Sequence, residues 1–399
     1  MSPVETLSPT SGRGLRLLLA LLVVALNLRG AITCVGPVLD LIQQEFDLSS
    51  PLAGLLASLP LFAFGLLSPY AAPLARRLGL ELAILVALLI LGLGLLIRYA
   101  DGALSLYLGT VFIGIGIAIN NVLLPGLLHR DFSRQLAFVT ALFTMVLVTV
   151  GGLGSALSVP LAETGGWRFS LVAWLAPVLL GVVAWLPQLR HNSKPQTSTQ
   201  AKTPLWGNAL AWQVSLFMGG QSMAFYVMIA WFPSMMADLQ GISAARAGWL
   251  LFIYQIFVLG AVMLIPLAIH RLADQRWIGV FCGACLFVGY GGLYLAPAQV
   301  LTWMIIMGVG GGGALVLAIT LFGLRAGTTS QAVALSGMAQ AVGYLMAALL
   351  PVLIGYLRDL SQGWDLPLQL MLAVCLMQMV TGYLSGRPLK LPEAPANAA

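Results

Sequence analysis

The chain has 399 residues, of which 60% are hydrophobic and only 8% are charged, and its mean hydropathy is +0.96. Soluble domains carry about 25% charged residues. The 19 basic and 13 acidic side chains are too few to cover a soluble protein of 42.2 kDa, which excludes a water-soluble enzyme. The net charge of +6 is spread between apolar segments rather than gathered in one patch, so we expect no nucleic-acid partner.

Long apolar segments follow one another along the whole chain. A membrane-spanning helix needs about 20 predominantly apolar residues. Twelve such segments predict an all-α protein embedded in the lipid bilayer. The first segment follows Arg13 and Arg16 as in a signal peptide, but no small-residue cleavage site follows it, so we assign it as the first helix. The predicted spans are 15–41, 52–74, 80–98, 103–128, 136–160, 168–187, 209–235, 246–268, 277–296, 300–323, 331–356 and 367–385.

The basic residues are distributed unevenly over the predicted loops. With the N-terminus inside, the cytoplasmic segments hold 14 Lys and Arg, including Arg325, and the external segments hold 4, including Arg98. This excess predicts that both termini are cytoplasmic. A polar stretch rich in Ser, Thr, Pro and Lys predicts a flexible linker at the middle of the chain. The predicted organisation is a cytoplasmic tail 1–14, a six-helix bundle 15–189, a cytoplasmic linker 190–208, a six-helix bundle 209–385 and a cytoplasmic tail 386–399.

The two halves of the sequence repeat one another at an offset of 194 residues. Leu48–Leu56 aligns with Ile242–Leu250, and the same offset maps Gly114 onto Gly308. Because six helices separate equivalent points, both halves begin on the same side of the membrane. The repeat is therefore parallel, about an axis along the membrane normal.

Arg29 lies near the middle of the first predicted helix. A midplane arginine costs roughly 2.5–3.5 kcal/mol on insertion scales, so we expect the helix to turn this side chain toward a polar cavity. Arg29, Thr33, Gly36 and Asp40 follow the helical spacing i, i+4, i+7, i+11 and are expected to share one face. Two interpretations stay open. The guanidinium anchors an anion or a nitro-like pair of oxygens, or protein carbonyl and amide groups hold it for packing.

Uncharged polar side chains lie at similar depth in other predicted helices. They suit hydrogen bonding to a small planar solute, although polar residues also bond neighbouring helices. The candidate substrate-binding residues are Arg29, Thr33, Asn120, Asn121, Gln221, Tyr226, Tyr254, Gln255, Gln340 and Tyr344. Asp40, the only carboxylate near a span interior, is the candidate for coupling to protons. The sequence shows no acid/base pair, metal-ligand cluster or nucleophile at membrane depth, so we expect no catalytic residue, metal or cofactor.

The twelve spans, the parallel repeat and the basic segment between the second and third helices resemble the major facilitator superfamily. The segment 73–81 (PLARRLGLE) occupies the place of that superfamily's G-x-L-a-D-R-x-G-R-R loop, but Arg76 stands where an aspartate is usual. The loop's charge relay would therefore need Glu81 or Asp131 as a substitute. By this resemblance the conformational-switch loop contains Arg76, Arg77, Gly79 and Glu81.

More narrowly, the chain resembles the branch of this superfamily that carries cyanate and 2-nitroimidazole. The matching stretches are 28–29, 37–40, 68–79, 121–132, 210–213 and 334–344. The resemblance implies a monomeric secondary transporter of the bacterial inner membrane, with a central cavity between two six-helix bundles that rock in alternating access. The expected substrate is a small polar or anionic solute, with export slightly favoured. The alternatives are an uptake carrier for another small organic or inorganic anion, or a channel. An enzyme is not expected.

Overall fold

The computed structural model describes residues 12–194, 205–272 and 274–392. Every regular element in these residues is helical. The helices of the first half are α1 (Gly12–Ala25), α2 (Gly30–Thr33), α3 (Leu39–Phe46), α4 (Ser50–Leu78), α5 (Leu80–Tyr99), α6 (Ala103–Asp131), α7 (Leu136–Val172) and α8 (Leu175–Trp185). The helices of the second half are α9 (Ala209–Gln240), α10 (Ala244–Arg271), α11 (Arg276–Leu295), α12 (Val300–Arg325), α13 (Thr329–Ser361) and α14 (Asp365–Ser385).

Eleven helical segments of the described residues are long and apolar enough to cross a membrane, judged by length and composition. The remaining predicted span, the sixth at 168–187, has no long helix of its own because it begins within α7 and continues into α8. Gly165 and Gly166 have non-helical backbone angles, so a kink divides α7 into two helical pieces. The φ of +81° at Gly166 is a conformation that glycine adopts without steric cost. The predicted all-α fold with twelve spans is confirmed.

The chain divides into two compact units. Of the described residues, unit 1 contains 12–49, 55–194 and 242–252, and unit 2 contains 50–54, 205–241, 253–272 and 274–392. Each unit therefore includes the start of one helix from the other half of the sequence. The predicted bundle boundaries, 15–189 and 209–385, stay a prediction. They place residues 50–54 in the first bundle and 242–252 in the second, whereas the two units exchange these segments.

Glycine allows both exchanged helix starts to pack closely. In unit 2, a Cβ added to Gly54 would overlap the carbonyl oxygen of Pro351 in α13. In unit 1, a Cβ added to Gly248 would overlap the carbonyl oxygen of Ser155 in α7. The offset of 194 residues relates these two glycines. Small residues at helix contacts let backbones approach in this way, so the repeat preserves a packing device as well as a sequence.

Candidate functional site

The first span is a broken helix rather than the continuous one that the sequence predicted. Residues 26–29 form a turn between α1 and α2, and a short 3-10 helix at Gly36–Val38 separates α2 from α3. Pro37 in this 3-10 helix has no N–H to donate to a helical ladder. The prediction that Arg29, Thr33, Gly36 and Asp40 share one regular face is therefore wrong, because two interruptions reset the helical periodicity. We refer to residues 26–38 as the break.

Side chains from neighbouring helices donate hydrogen bonds to three carbonyl groups that the break leaves free. Arg98 Nη1 donates to the carbonyl oxygen of Ala31 at 3.1 Å. Ser155 Oγ donates to Thr33 O at 3.2 Å, and Ser158 Oγ donates to Cys34 O at 2.5 Å. Non-helical backbone at membrane depth is tolerated where protein groups satisfy its polar atoms in this way. Three donors from α5 and α7 therefore stabilise the break, and sequence reasoning missed all three.

Close packing also fixes the position of the break. A Cβ on Gly154 would overlap the hydroxyl oxygen of Thr33, and a Cβ on Gly30 would overlap the ring of Trp174. Asn27 Nδ2 donates to the carbonyl oxygen of Pro177 in α8 at 3.2 Å. The break therefore contacts α7, α8 and Trp174, which lies between these two helices.

Arg29 stands immediately before α2 and is half-buried. Its carbonyl oxygen accepts hydrogen bonds from the backbone N–H groups of Ile32 and Thr33, each at 3.0 Å. The Thr33 hydroxyl donates to the same oxygen at 3.2 Å, and Thr33 is only 1% exposed. Asp40, in the first turn of α3, is half-buried. Of the four residues predicted to share a face, Thr33 and Gly36 are buried, whereas Arg29 and Asp40 keep partial exposure.

The two predicted asparagines of unit 1 differ in their surroundings. Asn120 is fully buried in α6, and neither atom of its side-chain amide has a hydrogen-bond partner in the described part of the chain. It lies one turn after Gly116, where an added Cβ would lie 2.8 Å from Leu91 Cβ of α5. Asn121 is half-buried. The sequence could not distinguish the two, because adjacent residues on a helix point about 100° apart.

The predicted residues of unit 2 lie on α9, α10 and α13. Gln221 and Gln255 are buried, and the Gln221 amide donates to Ser222 Oγ at 2.8 Å. Tyr226 and Tyr254 are buried and both contact Phe225, whose ring centroid lies 5.0 Å and 6.3 Å from theirs. On α13, the exposed Gln340 donates to Ser336 Oγ at 2.9 Å. Tyr344, also on α13, packs against the apolar core of unit 2. The structure thus brings together the two predicted tyrosines of α9 and α10.

A charged network joins the start of α5 to the end of α6. Arg130 Nη2 donates to Glu81 at 2.7 Å and to Asp131 at 2.8 Å, and Arg130 Nη1 donates to Ser193 Oγ at 2.5 Å. The second oxygen of Glu81 accepts the backbone N–H of Ser193 at 2.8 Å. We call Glu81, Arg130, Asp131 and Ser193 the first latch. Both carboxylates that the sequence named as substitutes for the missing aspartate therefore bind one arginine.

The other residues of the predicted switch loop have different places. Arg76 and Arg77 are exposed near the end of α4, and among the described residues no hydrogen bond or ion pair joins either of them to the first latch. Gly79 has a φ of +94°, and a Cβ there would overlap the side chain of Asn192. Asn192 in turn donates to Leu78 O at 2.8 Å and accepts the N–H of Leu82 at 3.2 Å. Gly79 thus allows the segment after α8 to close over the turn between α4 and α5.

Unit 2 has a corresponding network at the position that the repeat predicts. The offset of 194 residues maps Glu81 onto Gln275 and Asp131 onto Arg325. Arg325 is 4% exposed and donates to Gln275 Oε1 at 2.6 Å, to Ser385 O at 2.8 Å and to Gly386 O at 3.0 Å. We call Gln275, Arg325, Ser385 and Gly386 the second latch. Sequence reasoning assigned Arg325 only to a loop, although the repeat offset would have found this pair.

A second pair of related clusters lies at the other ends of the helices. In unit 1, Glu45 accepts a hydrogen bond from Trp167 Nε1 at 2.6 Å and from Arg168 Nη2 at 2.6 Å. In unit 2, Asp238 accepts from Trp364 Nε1 at 2.8 Å and from Arg358 Nη2 at 2.7 Å. In each cluster the guanidinium also lies over the tryptophan ring, at 4.4 Å and 5.0 Å from its centroid. We call these groups of three the first clasp and the second clasp.

Comparison with known proteins agrees with this architecture. The family model of the major facilitator superfamily matches residues 18–351. The chain is 41% identical to the 2-nitroimidazole transporter of Escherichia coli (strain K12) over 382 residues, which cover 94% of this chain and 97% of that protein. It is 26% identical to the cyanate transport protein CynX of the same organism, over 94% of this chain and 98% of CynX.

A solved structure shows the same fold. The inward-facing, unoccupied crystal structure of a bacterial homolog to the human lysosomal transporter Spinster superposes with a TM-score of 0.76 at 17% sequence identity. The superposition covers 96% of this chain and 100% of that chain. Because the family model matches most of the sequence and a relative is similar along nearly its whole length, this multi-pass membrane transporter belongs to the major facilitator superfamily.

Proposed function

We propose that the chain is a secondary active transporter that exports a small polar or anionic solute of the 2-nitroimidazole or cyanate type. In this proposal it works by alternating access in a bacterial inner membrane, with both termini in the cytoplasm. The names of two relatives that match almost their whole length support the substrate class. Uptake of another small anion is the alternative direction and cargo.

The observation that carries the proposal is the position of Arg29. The first span extends over Gly12–Phe46, and Arg29 is 17 residues from either end. Placing a cation at this depth is costly, and charged residues inside spans mark solute pathways. The break holds Arg29 in a turn instead of a regular helix. Broken helices of this kind form solute sites in transporters.

The chemistry of the guanidinium fits the proposed solutes. Arg presents a planar fork of N–H donors that binds two oxygens at once, as a nitro group offers, and it stays charged at any physiological pH. Neutral amide and hydroxyl groups would then set the orientation of the ring. We propose this role for the remaining candidate residues of the sequence, and we propose Asp40 as the coupling carboxylate because it keeps partial exposure on the same span.

Counterflow in proteoliposomes tests the proposal. Radiolabelled 2-nitroimidazole or cyanate is supplied outside vesicles that contain the unlabelled solute, and uptake is followed for the wild type, Arg29→Ala and Arg29→Lys. We expect acceleration by solute on the opposite side, which a carrier shows and a pore does not. We expect no counterflow in the Ala variant and weak counterflow in the Lys variant, which loses the planar fork.

Arg246→Ala is the matched control, because Arg246 is an exposed arginine whose removal changes the net charge equally. All variants must reach the membrane in similar amounts and give monodisperse protein. Counterflow at the wild-type rate in Arg29→Ala would contradict the anchor role. Flux without acceleration from the opposite side would favour a channel, and absence of flux of both solutes in the wild type would contradict the substrate class.

A further inference from the structure

Arg98 is the most deeply buried cation of the described residues, with 1% exposure. The sequence assigned it to the external charges at the end of the third span. Its Nη1 donates to Ala31 O at 3.1 Å and its Nη2 donates to Leu171 O at 3.4 Å, with Cys34 Sγ at 3.9 Å. Its Nε–H has no partner among the residues that the structure describes. Its hydrogen-bonded oxygens are therefore uncharged carbonyls.

Burying a cation against neutral acceptors is an expensive way to stabilise a fold. The penalty for removing an ion from water is several kcal/mol, and apolar residues of similar volume often stabilise an interior better than buried ions do. An apolar side chain such as leucine at the end of α5 would be buried without this loss of hydration. The arginine therefore calls for an explanation beyond general packing.

The geometry of the two carbonyl bonds supplies that explanation. Ala31 O lacks a backbone partner because the N–H of Val35 turns to Ile32 O, at 3.3 Å, where the helix changes to a 3-10 helix. Leu171 belongs to the second piece of α7. Because one planar guanidinium binds both carbonyls, it links the break to the sixth span through a single rigid group.

We propose that Arg98 is a positioning residue for the substrate contact at Arg29. Ala31 lies in α2, two residues after Arg29, and the carbonyl oxygen of Arg29 accepts the N–H groups of Ile32 and Thr33, which directly follow Ala31. A shift of the Ala31 carbonyl therefore rotates the turn that carries Arg29. This inference rests on the proposed function, since it concerns the same solute site.

The test compares Arg98→Lys and Arg98→Gln with Arg325→Lys. Arg325 is the matched control because it is another buried arginine that donates to two backbone carbonyls, but it belongs to unit 2, whereas the break belongs to unit 1. Equilibrium binding of 2-nitroimidazole and of cyanate to purified protein gives the Kd of each variant. We expect Kd to rise about tenfold or more in Arg98→Gln. In Arg98→Lys we expect a smaller rise, because an ammonium can bind one of the two carbonyls. In Arg325→Lys we expect the wild-type Kd.

A second measurement needs no solute. The sequence has four cysteines, so replacing Cys282, Cys285 and Cys375 by Ala leaves Cys34 alone as a reporter within the break. Cys34 is fully buried, and we expect N-ethylmaleimide to label it faster in both Arg98 variants than in the wild type. Arg325→Lys should label at the wild-type rate.

The outcomes separate this inference from the proposed function. Faster labelling together with a raised Kd supports the positioning role. Faster labelling with an unchanged Kd, or no change in either measurement, overturns it and leaves Arg98 a structural residue. If the wild type binds neither 2-nitroimidazole nor cyanate, the proposed substrate class is wrong, and so is the role of Arg98 in binding that substrate. The labelling of Cys34 still shows in that case whether Arg98 stabilises the break.

Discussion

The first latch and the second latch join equivalent elements of their own units with different chemistry. The first latch links the start of α5 to the end of α6 and to the segment after α8. The second latch links the residue before α11 to the ends of α12 and α14. In the first latch Arg130 binds two carboxylates, whereas in the second latch Arg325 binds one amide oxygen and two carbonyl oxygens. The N–H groups of a guanidinium donate to either set of oxygens, because they need only acceptors in the right directions. The repeat has thus kept the geometry of the latch while its charge has changed.

The two clasps differ in the opposite way: their chemistry is the same, but their arginines occupy different positions in the chain. Both consist of a carboxylate, an indole N–H and a guanidinium, so their chemistry is the same. The arginine nevertheless comes from different places, since Arg168 follows Trp167 directly, whereas Arg358 lies in α13 and Trp364 immediately precedes α14. A pseudo-symmetric protein can therefore preserve either the geometry or the chemical composition of a contact. The predictions below separate the two.

Removing the arginine should distinguish the latches most strongly. Arg130→Met leaves Glu81, which is 2% exposed, close to Asp131 without their shared cation. Breaking a buried pair in this way costs about 3–5 kcal/mol. Arg325→Met leaves only neutral acceptors, for which we expect a loss of about 1–3 kcal/mol. Thermal unfolding in detergent measures both, and an equal loss in the two variants would show that charge is irrelevant to the difference.

Exchanging the acceptors between the latches should give effects of opposite sign. Glu81→Gln weakens a charge-assisted contact to Arg130 and to the N–H of Ser193, so we expect a loss of about 1.5–3 kcal/mol. Gln275→Glu places a carboxylate against Arg325, which has no acidic hydrogen-bond partner among the described residues, and should raise the melting temperature. The comparison fails if Gln275→Glu lowers the melting temperature as much as Glu81→Gln does.

The clasps should respond equally to the loss of the indole donor. Trp167→Phe and Trp364→Phe keep an aromatic ring under the guanidinium but remove one hydrogen bond to Glu45 or Asp238. We expect each to cost about 1 kcal/mol, because the acceptor carboxylates are 40% and 46% exposed and can bind water instead. The equivalence of the clasps would be contradicted if the melting temperatures of Trp167→Phe and Trp364→Phe differed by more than those of Arg130→Met and Arg325→Met.

The sequence predicted the number of spans and the repeat, because these depend on hydropathy and on residue types at fixed spacing. The family resemblance named Glu81 and Asp131 only as substitutes for the missing aspartate, and it did not name Arg130 as the partner of both carboxylates. It did not predict the break, since residues 15–41 are predominantly apolar over the length of one span and Pro37 is the only residue among them that lacks a backbone N–H. The sequence analysis did not single out Ser155 or Ser158, and it counted Arg98 only among the basic residues of the external segments. Their roles depend on contacts across more than 60 residues of chain, which periodicity does not record.

Ligand-dependent thermal stability of purified protein tests most directly whether Arg29 anchors the solute. A ligand that binds only the folded state must raise the melting temperature. We predict that 2-nitroimidazole raises it for the wild type and for Arg246→Ala, by a smaller amount for Arg29→Lys, and not at all for a folded Arg29→Ala. A rise in Arg29→Ala equal to that of the wild type would contradict the account.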